Sequence, residues 1–229
     1  MINTMSVNIV TLEDPVEYFI EGINQSQINS EIGLTFAAGL RSILRQDPNV
    51  IMVGEVRDKE TAELAVHAAL TGHLVLSTLH TNDAVSTPSR LIDMGVPGFM
   101  IATTLRAVLS QRLLRLVCKE CADPHELTPD ETVWVKRYFG EVPSHAKLLS
   151  GRGCSACNGS GYRGRMGIFE LLEMTPELAV VLHKEDPVEF EAVARKQIGK
   201  NSIMHNGFEL VFQGLTTVSE VTKNALMTE

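Results

Sequence analysis

The segment from residue 49 to residue 80 most strongly constrains how this chain can fold. It holds two apolar runs, Val50–Val53 and Leu74–Leu79, with an amphipathic helical pattern between them. Short β-branched runs that flank a helix are typical of parallel strands covered on both faces. Glu55 follows the first run and His80 follows the second. Because ligands of open α/β sheets bind beyond the carboxyl ends of the strands, we expect these two side chains to lie together at that edge.

A third apolar run, Asn8–Leu12, ends in a similar way, because Glu13 follows it and Pro15 prevents its continuation into a helix. Three predicted strands therefore end in Glu13, Glu55 and His80. Any one of these residues alone is most simply a solvated turn residue. The same coincidence on three strands, in a chain with only 21% charged residues, favours a functional site.

The rest of the pattern predicts mostly helices. Met1–Ser6 is expected to be the end of a helix, and a polar loop near residue 25 is expected to hold a short edge strand around Gln25–Ile28. Another short strand is predicted over Ile168–Leu172. The predicted helices are Thr35–Gln46, Lys59–Thr71, Asp83–Met94 with a kink or a later start at Pro88, Gly98–Leu114, 129–139, Pro176–His183, Pro187–Gly199, Ile203–Gly214 and Thr217–Met227.

Two arginine patterns have both a bland and a functional interpretation. Arg41 and Arg45 are four residues apart, so they share one face of a predicted helix. Their spacing alone favours two solvated arginines over a cationic pair presented to phosphate or to a neighbouring subunit. Gly159–Gly167 is rich in glycine and contains two arginines, but it lacks the G-x-x-x-x-G-K-[ST] pattern of a phosphate-binding loop. A tight turn is therefore the favoured interpretation.

The four cysteines form two C-x-x-C knuckles, and none is left over. They are Cys118, Cys121, Cys154 and Cys157, with 32 residues between the knuckles. This pattern in an intracellular chain is typical of tetrahedral zinc rather than disulfides, although the usual gap in a zinc ribbon is about 15–20 residues. Four thiolates leave no open coordination position, so we expect a structural metal without a catalytic role.

The charge of the chain argues against non-specific nucleic-acid binding, although it leaves room for a local basic face. Its net charge is −8, whereas non-specific binding to phosphates needs clustered lysine and arginine. No signal peptide opens the chain, and no apolar run approaches the roughly 20 residues of a membrane span. From these patterns we expect a soluble, intracellular protein without a transmembrane segment.

The chain closely resembles the secretion-superfamily traffic ATPases, in the branch that serves type II secretion and type IV pilus assembly (the GspE and PilB class). The resemblance runs along the whole chain and depends on several motifs in order. They are NIVTLEDPVEY, LRQDPNVIMVGEVRD, TGHLVLSTLHTNDA, the paired CxxC and YRGRMGIFELLEM. The retraction ATPases of the superfamily generally lack the four-cysteine module, so its presence points to the assembly or secretion side.

The resemblance implies a role for each residue that matches a family motif. Glu13 corresponds to the Asp-box glutamate that orients or activates the attacking water, and Glu55 to the Walker B glutamate near Mg²⁺. His80 corresponds to the His-box histidine near the γ-phosphate. Arg41 and Arg45 correspond to arginines at or near subunit contacts. The resemblance therefore favours a functional cationic pair over two solvated arginines. Arg57 is a weaker match, as a sensor of nucleotide state.

The resemblance also implies a fold and a division of the chain. The expected fold is α/β, with a RecA-like P-loop NTPase core in residues 1–116, a tetracysteine zinc module in 117–160 and a strand and helices in 161–229. The core is incomplete, because no GK[ST] tripeptide occurs in the sequence. We therefore expect the C-terminal part of a longer protein, whose phosphate-binding loop lies before Met1 and which alone binds and hydrolyses ATP poorly.

The implied function is that of a hexameric ATPase that uses ATP, Mg²⁺ and Zn²⁺. It would work in the cytoplasm, peripheral to the inner membrane, on the inner-membrane platform proteins of a secretion or pilus machine. Two alternatives stay open. One is a RecA-like nucleic-acid translocase, which the acidic composition disfavours. The other is a non-enzymatic, zinc-stabilised interaction module.

Overall fold

A four-stranded parallel sheet holds the three predicted strands side by side in the computed structural model, which describes residues 2–226. Its order is β2-β1-β3-β4, and every pairing is parallel. Two further sheets have two strands each, β5-β8 and β6-β7. The strands are β1 Ile9–Glu13, β2 Asn24–Gln27, β3 Val50–Val53, β4 Leu74–Ser77, β5 Ala107–Val117, β6 Ala122–Pro124, β7 Leu149–Gly151 and β8 Tyr162–Glu173. The predicted edge strand near residue 25 is thus confirmed as β2.

The helices lie close to most of the predicted ranges. Thr35 caps the first and Asp58 the second, each by accepting a hydrogen bond from a backbone N–H of the first turn. Pro88 lies in the first turn of the third helix, which confirms the later start. The bounds are α1 Phe36–Ile43, α2 Lys59–Leu70, α3 Ser86–Asp93, α4 Gly98–Thr104, α5 Pro129–Tyr138, α6 Pro176–His183, α7 Pro187–Ile198, α8 Ile203–Phe212 and α9 Val218–Leu226.

The chain divides into two compact units, which interrupt each other in sequence. Unit 1 comprises Met1–Arg106 and Glu173–Val193, and unit 2 comprises Ala107–Leu172 and Ala194–Glu229. The core of unit 1 lies on the parallel sheet, where Ile51 and Val53 are fully buried. The core of unit 2 gathers apolar side chains from β5, α5, α8 and α9, including Leu114, Val135, Phe208 and Val221. The division at residues 116 and 160 stays a prediction.

Strand β4 departs from the expectation that both strands of the 49–80 segment are covered on both faces. β1 and β3 are buried almost throughout. Leu74 and Leu76 of β4, however, are 43% and 44% exposed. The expectation is wrong for this strand because, among the described residues, β4 pairs only with β3 and lies at the edge of the sheet.

The predicted helix Gly98–Leu114 is wrong beyond its first half. Helix α4 ends at Thr104, and the chain continues as the eleven-residue strand β5. Within this strand, Leu109 and Leu113 are 62% and 48% exposed. The reason is the long-range pairing of β5 with β8, which the local pattern does not contain.

Two smaller predictions are also corrected. The glycine-rich turn predicted over Gly159–Gly167 is wrong from Tyr162 onward, because those residues belong to β8. Residues 2–6 form no helix, and Met1 lies outside the described residues, as does Met227 at the end of the last predicted helix. Within residues 2–226, no helix combines the length and the apolar character that a membrane span requires.

Candidate functional site

The structure brings Glu55 and His80 together beyond the carboxyl ends of β3 and β4. A carboxylate oxygen of Glu55, Oε2, lies 3.4 Å from Nε2 of His80. The same oxygen accepts a hydrogen bond from Nε of Arg57. The Glu55 side chain is only 12% exposed, whereas His80 is 87% exposed and Arg57 67%. A largely buried carboxylate thus contacts a solvent-facing imidazole and a solvent-facing guanidinium at this edge of the sheet.

Hydrogen bonds beyond the strand ends hold the three segments in register. Gly54 donates its backbone N–H to the carbonyl of Leu12 at 2.7 Å. Thr78 links the neighbouring segment, because its hydroxyl donates to the carbonyl of Gly54 at 2.6 Å. Its own carbonyl accepts a hydrogen bond from the backbone N–H of Val56 at 3.0 Å. These contacts continue the sheet ladder past its formal ends and so fix the backbone that carries Glu55.

Glycine at position 54 permits the close approach of β1 to this backbone. A Cβ atom there would lie 3.0 Å from the carbonyl oxygen of Leu12 and 3.4 Å from Cα of Glu13. Both neighbours are backbone atoms, which cannot rotate away as a flexible side chain would. The absence of a side chain at Gly54 therefore lets Glu13 lie directly beside the segment that leads to Glu55.

Glu13 is held by two side chains that sequence reasoning missed. Its Oε1 accepts a hydrogen bond from the Thr11 hydroxyl at 2.5 Å and from Nε2 of Gln25 at 2.9 Å. Thr11 lies opposite Gln25 in the β1–β2 register. The information that the sequence lacks is the pairing of β1 with β2. Thr11 and Glu13 share a strand face because they are two residues apart, but only the register shows which residue of β2 they meet.

Of the three predicted arginines, only Arg57 makes a described contact with the Glu55–His80 pair. Arg41 forms an ion pair with Glu60 in the first turn of α2 and is 51% exposed. Arg45 lies in the turn that follows α1 and donates from Nη1 to the backbone carbonyl of Arg41 at 2.8 Å. The described contacts of these two arginines thus join α1 to the turn that follows it and to α2.

The four predicted cysteines form one cluster in unit 2, in which their sulfur atoms all lie within 4.8 Å of one another. The distances between Sγ atoms are 3.9 Å for Cys118–Cys154, 3.9 Å for Cys121–Cys157 and 3.8 Å for Cys154–Cys157. These distances are far longer than a disulfide bond. Four sulfurs placed tetrahedrally about 2.3 Å from a zinc ion would lie about 3.8 Å apart. The donor set and its spacing therefore fit zinc.

The surroundings of Cys121 and Cys157 shift the pKa values of their thiols in opposite directions. Burial raises the pKa of Cys121 to about 12. The backbone N–H groups of Cys154 and Gly161 lower the pKa of Cys157 to about 6, because they donate to its sulfur at 3.2 and 3.3 Å. Such N–H···S hydrogen bonds are suited to a sulfur that carries negative charge, as a metal-bound thiolate does.

Known proteins resemble this chain in both sequence and fold. The family model described as "Type II/IV secretion system protein" matches residues 1–223. The chain is 45% identical over 223 residues to type II secretion system protein E of Pseudomonas aeruginosa, covering 97% of this chain and 43% of that protein. It is 48% identical over 223 residues to the type IV pilus assembly ATPase PilB of Thermus thermophilus, covering 96% of this chain and 25% of that protein.

A solved structure of a pilus motor resembles this chain in fold. The crystal structure of the pilus retraction motor PilT with bound ADP matches with a TM-score of 0.65 and 27% identity, covering 94% of this chain and 52% of that one. The chain thus spans less than half the length of the first two relatives named above. On the extent of these matches, this chain belongs to the Type II/IV secretion system protein family.

Proposed function

We propose that this chain is the catalytic part of a hexameric ATPase that powers type II secretion or type IV pilus assembly. The enzyme would act in the cytoplasm, peripheral to the inner membrane, together with inner-membrane platform proteins. The observation that carries the proposal is the contact of Glu55 with His80 beside the strand that ends in Glu13. The names of the relatives, a secretion system protein E and a pilus assembly ATPase, support it.

The arranged groups suit the hydrolysis of a phosphoanhydride. Phosphoryl transfer requires an oriented water molecule and fixed positive charge around the transferred group, and little covalent chemistry from the protein. Glu13 would orient or activate the water through the oxygen that Thr11 and Gln25 leave open. His80 would lie near the γ-phosphate and Arg57 would respond to it, while Arg41 and Arg45 would act at or near subunit contacts.

Glu55 would act next to Mg²⁺, a hard cation that prefers oxygen ligands. Bound Mg²⁺ would neutralise the charge that develops on the phosphate oxygens. The low exposure of the Glu55 carboxylate, and its contacts with Arg57 and His80, would hold it in one orientation for this purpose. The chain alone should bind and hydrolyse ATP poorly, because no GK[ST] phosphate-binding tripeptide occurs in it.

A chimera tests the function directly. This chain would replace the matching region of type II secretion system protein E of Pseudomonas aeruginosa, and ATP turnover would be measured with Mg²⁺. We expect Glu55→Gln to lower turnover by about 100-fold or more while nucleotide affinity stays within about threefold, since the loss concerns groups that act in the transition state. Fluorescent-nucleotide titration provides the affinity.

Glu63→Gln is the matched control, because Glu63 lies on α2 and pairs only weakly with Lys59 at 3.6 Å. It should leave turnover unchanged. A chimera that hydrolyses ATP at the same rate with and without Glu55→Gln would contradict the proposal. Turnover that depends on added DNA would instead favour the nucleic-acid translocase.

The cysteine cluster would hold one Zn²⁺ through Cys118, Cys121, Cys154 and Cys157. The metal would cross-link two segments of unit 2 that are distant in sequence, and this contributes to folding rather than to hydrolysis. Cys154→Ser should release the metal, because three thiolates bind zinc less tightly than four. Elemental analysis of the purified chain checks this, with Ser155→Ala as the control. Unchanged zinc content in Cys154→Ser would refute the assignment.

A further inference from the structure

The side-chain amide of Gln25 joins a functional carboxylate to a neighbouring loop. Its Nε2 donates to Oε1 of Glu13 at 2.9 Å and to the carbonyl of Tyr18 at 3.0 Å. Its Oε1 accepts a hydrogen bond from the backbone N–H of Ile20 at 2.7 Å. Both ends of the amide are therefore engaged, and the group has a single orientation in which Nε2 faces Glu13.

The two oxygens of Glu13 are treated unequally. Oε1 accepts hydrogen bonds from both Gln25 and Thr11, and Thr11 is only 4% exposed. Oε2 has no protein hydrogen-bond partner within the part of the chain that the structure describes. A carboxylate held through one oxygen keeps the other in a defined place, where it can accept a hydrogen bond from a water molecule.

We propose that Gln25 is a positioning residue for Glu13 in ATP hydrolysis. The inference rests on the proposed function, because it assigns Glu13 to the attacking water. Glutamate has three rotatable bonds, and among the described residues the Thr11 hydroxyl alone would still hold its carboxylate by a hydrogen bond if the amide were lost. Misplacement of a reacting group by about 1 Å can cost about 100-fold in rate, so the loss of Gln25 should lower kcat by about 10- to 100-fold.

A purely structural role for Gln25 is the competing explanation, because the amide also anchors the loop between β1 and β2. Gln27 separates the two roles. It lies on the same strand and its Oε1 accepts a hydrogen bond from the backbone N–H of Val16 in the same loop at 3.3 Å. Its described contact is with that loop and not with the Glu13 carboxylate, so it is the matched control.

The experiment compares Gln25→Met with Gln27→Met in the chimera described above. Methionine keeps the length of the side chain and removes both hydrogen-bonding groups. We expect Gln25→Met to lower kcat by about 10- to 100-fold with KM for ATP within about twofold, and Gln27→Met to change neither by more than about twofold. Gln25→Glu provides a second variant of nearly the same shape, which cannot donate to Glu13 when ionised and should show a similar loss.

A double variant identifies the residue through which Gln25 acts. If the amide works only by placing Glu13, then Gln25→Met should lower the residual kcat by less than about twofold once Glu13→Gln is present. A structural role would lower it by the same factor in both backgrounds. Thermal melting of each variant checks that the fold survives.

Each outcome bears on one proposal or the other. Equal losses of kcat for Gln25→Met and Gln27→Met, or additive losses with Glu13→Gln, would overturn the positioning role. A loss that appears only in KM would do so as well. If Glu55→Gln leaves turnover intact, the proposed function itself fails, whatever the Gln25 variants do. If Glu55→Gln abolishes turnover and Gln25→Met does not lower it, the function stands and this inference falls.

Discussion

At the scale of single residues, the site depends on one position where a side chain is absent. Gly54 lies between two glutamates that are far apart in sequence, and its backbone touches the end of β1. Sequence reasoning could place Glu13, Glu55 and His80 at one edge, because parallel strands end on the same side of a sheet. It could not supply Gln25 or Thr11 as partners of Glu13, since that requires the β1–β2 register.

Gly54→Ala tests how tightly the two strand ends must approach. The added methyl group would meet backbone atoms of Leu12 and Glu13 at 3.0 and 3.4 Å, so β1 and β3 would have to separate slightly. We expect a loss of stability of about 1–3 kcal/mol, as for other overpacked sites, and lower ATP turnover in the chimera. Thermal melting and turnover measure the two effects. A variant with unchanged stability and turnover would mean that the strand ends can move apart freely.

At the scale of elements, the ribbon of β5 and β8 shows where local patterns fail. The apolar residues of LRAVLSQRLLRLV recur at spacings of three and four, which also fit a helix. The observed strand instead leaves Leu109 and Leu113 exposed while Leu114 is fully buried. Its conformation depends on pairing with a strand about 50 residues later, and no window of the sequence holds both partners. The helices with clear caps, in contrast, were predicted to within a few residues.

The segment that carries the four cysteines contains a second close backbone contact. A Cβ atom at Gly151, the last residue of β7, would lie 2.0 Å from the carbonyl oxygen of Gly161. That oxygen accepts a hydrogen bond from the backbone N–H of Cys118 at 2.9 Å, and the N–H of Gly161 donates to the sulfur of Cys157. Gly161 thus contacts both knuckles, and Gly151 leaves room for it.

Gly151→Ala should therefore weaken metal retention although it changes no cysteine. The methyl group would displace Gly161 and with it the hydrogen bonds to both knuckles. Release of zinc to a chromogenic chelator should be about tenfold or more faster than from the unsubstituted chain, since surrounding groups typically tune metal affinity by 10- to 100-fold. Ser150→Ala, the neighbouring residue of the same strand, serves as control. Equal release rates in all three proteins would contradict the expectation.

At the scale of the whole molecule, the two units differ in charge as well as in fold. Unit 1 carries 18 acidic and 7 basic residues, whereas unit 2 carries 10 acidic and 13 basic residues. The total charge of −8 does not reveal this difference between the units. It emerges only when the acidic and basic residues are counted within the boundaries at residues 106, 172 and 193, which come from the structure. At long range, the acidic excess of unit 1 disfavours the approach of a polyanion to that unit.

An ion pair between a buried carboxylate and a half-exposed guanidinium should make the stability of unit 2 depend on pH. The carboxylate of Glu220 is 3% exposed and accepts hydrogen bonds from Nε and Nη2 of Arg115 at 3.0 and 2.6 Å. Arg115 also stacks on the ring of Tyr162, at 4.2 Å from the ring centroid. Burial raises the pKa of Glu220, but the hydrogen bonds and the charge of Arg115 outweigh burial and lower the pKa overall.

Because the pKa of Glu220 is lower in the folded state, its contribution to stability is present above the unfolded value of about 4.3 and is lost as the pH falls through the folded value. At pH 7, Glu220→Gln should cost about 1–3 kcal/mol, less than a fully buried pair because Arg115 is half exposed. This difference from the unsubstituted chain should shrink as the pH is lowered below about 4. Trp134, the single tryptophan, packs against the core of unit 2 and reports its unfolding in urea.

Glu141→Gln, at an exposed position of the same unit, is the control for the pH experiment. It should leave the midpoint of the Trp134 transition unchanged at every pH. A cost for Glu220→Gln that is the same at pH 7 and at pH 3 would show that the carboxylate contributes through packing rather than through its charge.

The hydrogen bonds of the Gln25 side chain to both Glu13 and the loop between β1 and β2 affect which sequence changes the site can tolerate. Because one amide clasps both the carboxylate of Glu13 and the main chain at Tyr18 and Ile20, the acid and the loop cannot be shifted separately. Deleting a residue from that loop would displace the Gln25 amide and so loosen the Glu13 carboxylate, even though Glu13 itself had not been substituted. Protein surfaces usually tolerate variation in loop length, but here such variation would change the placement of the Glu13 carboxylate.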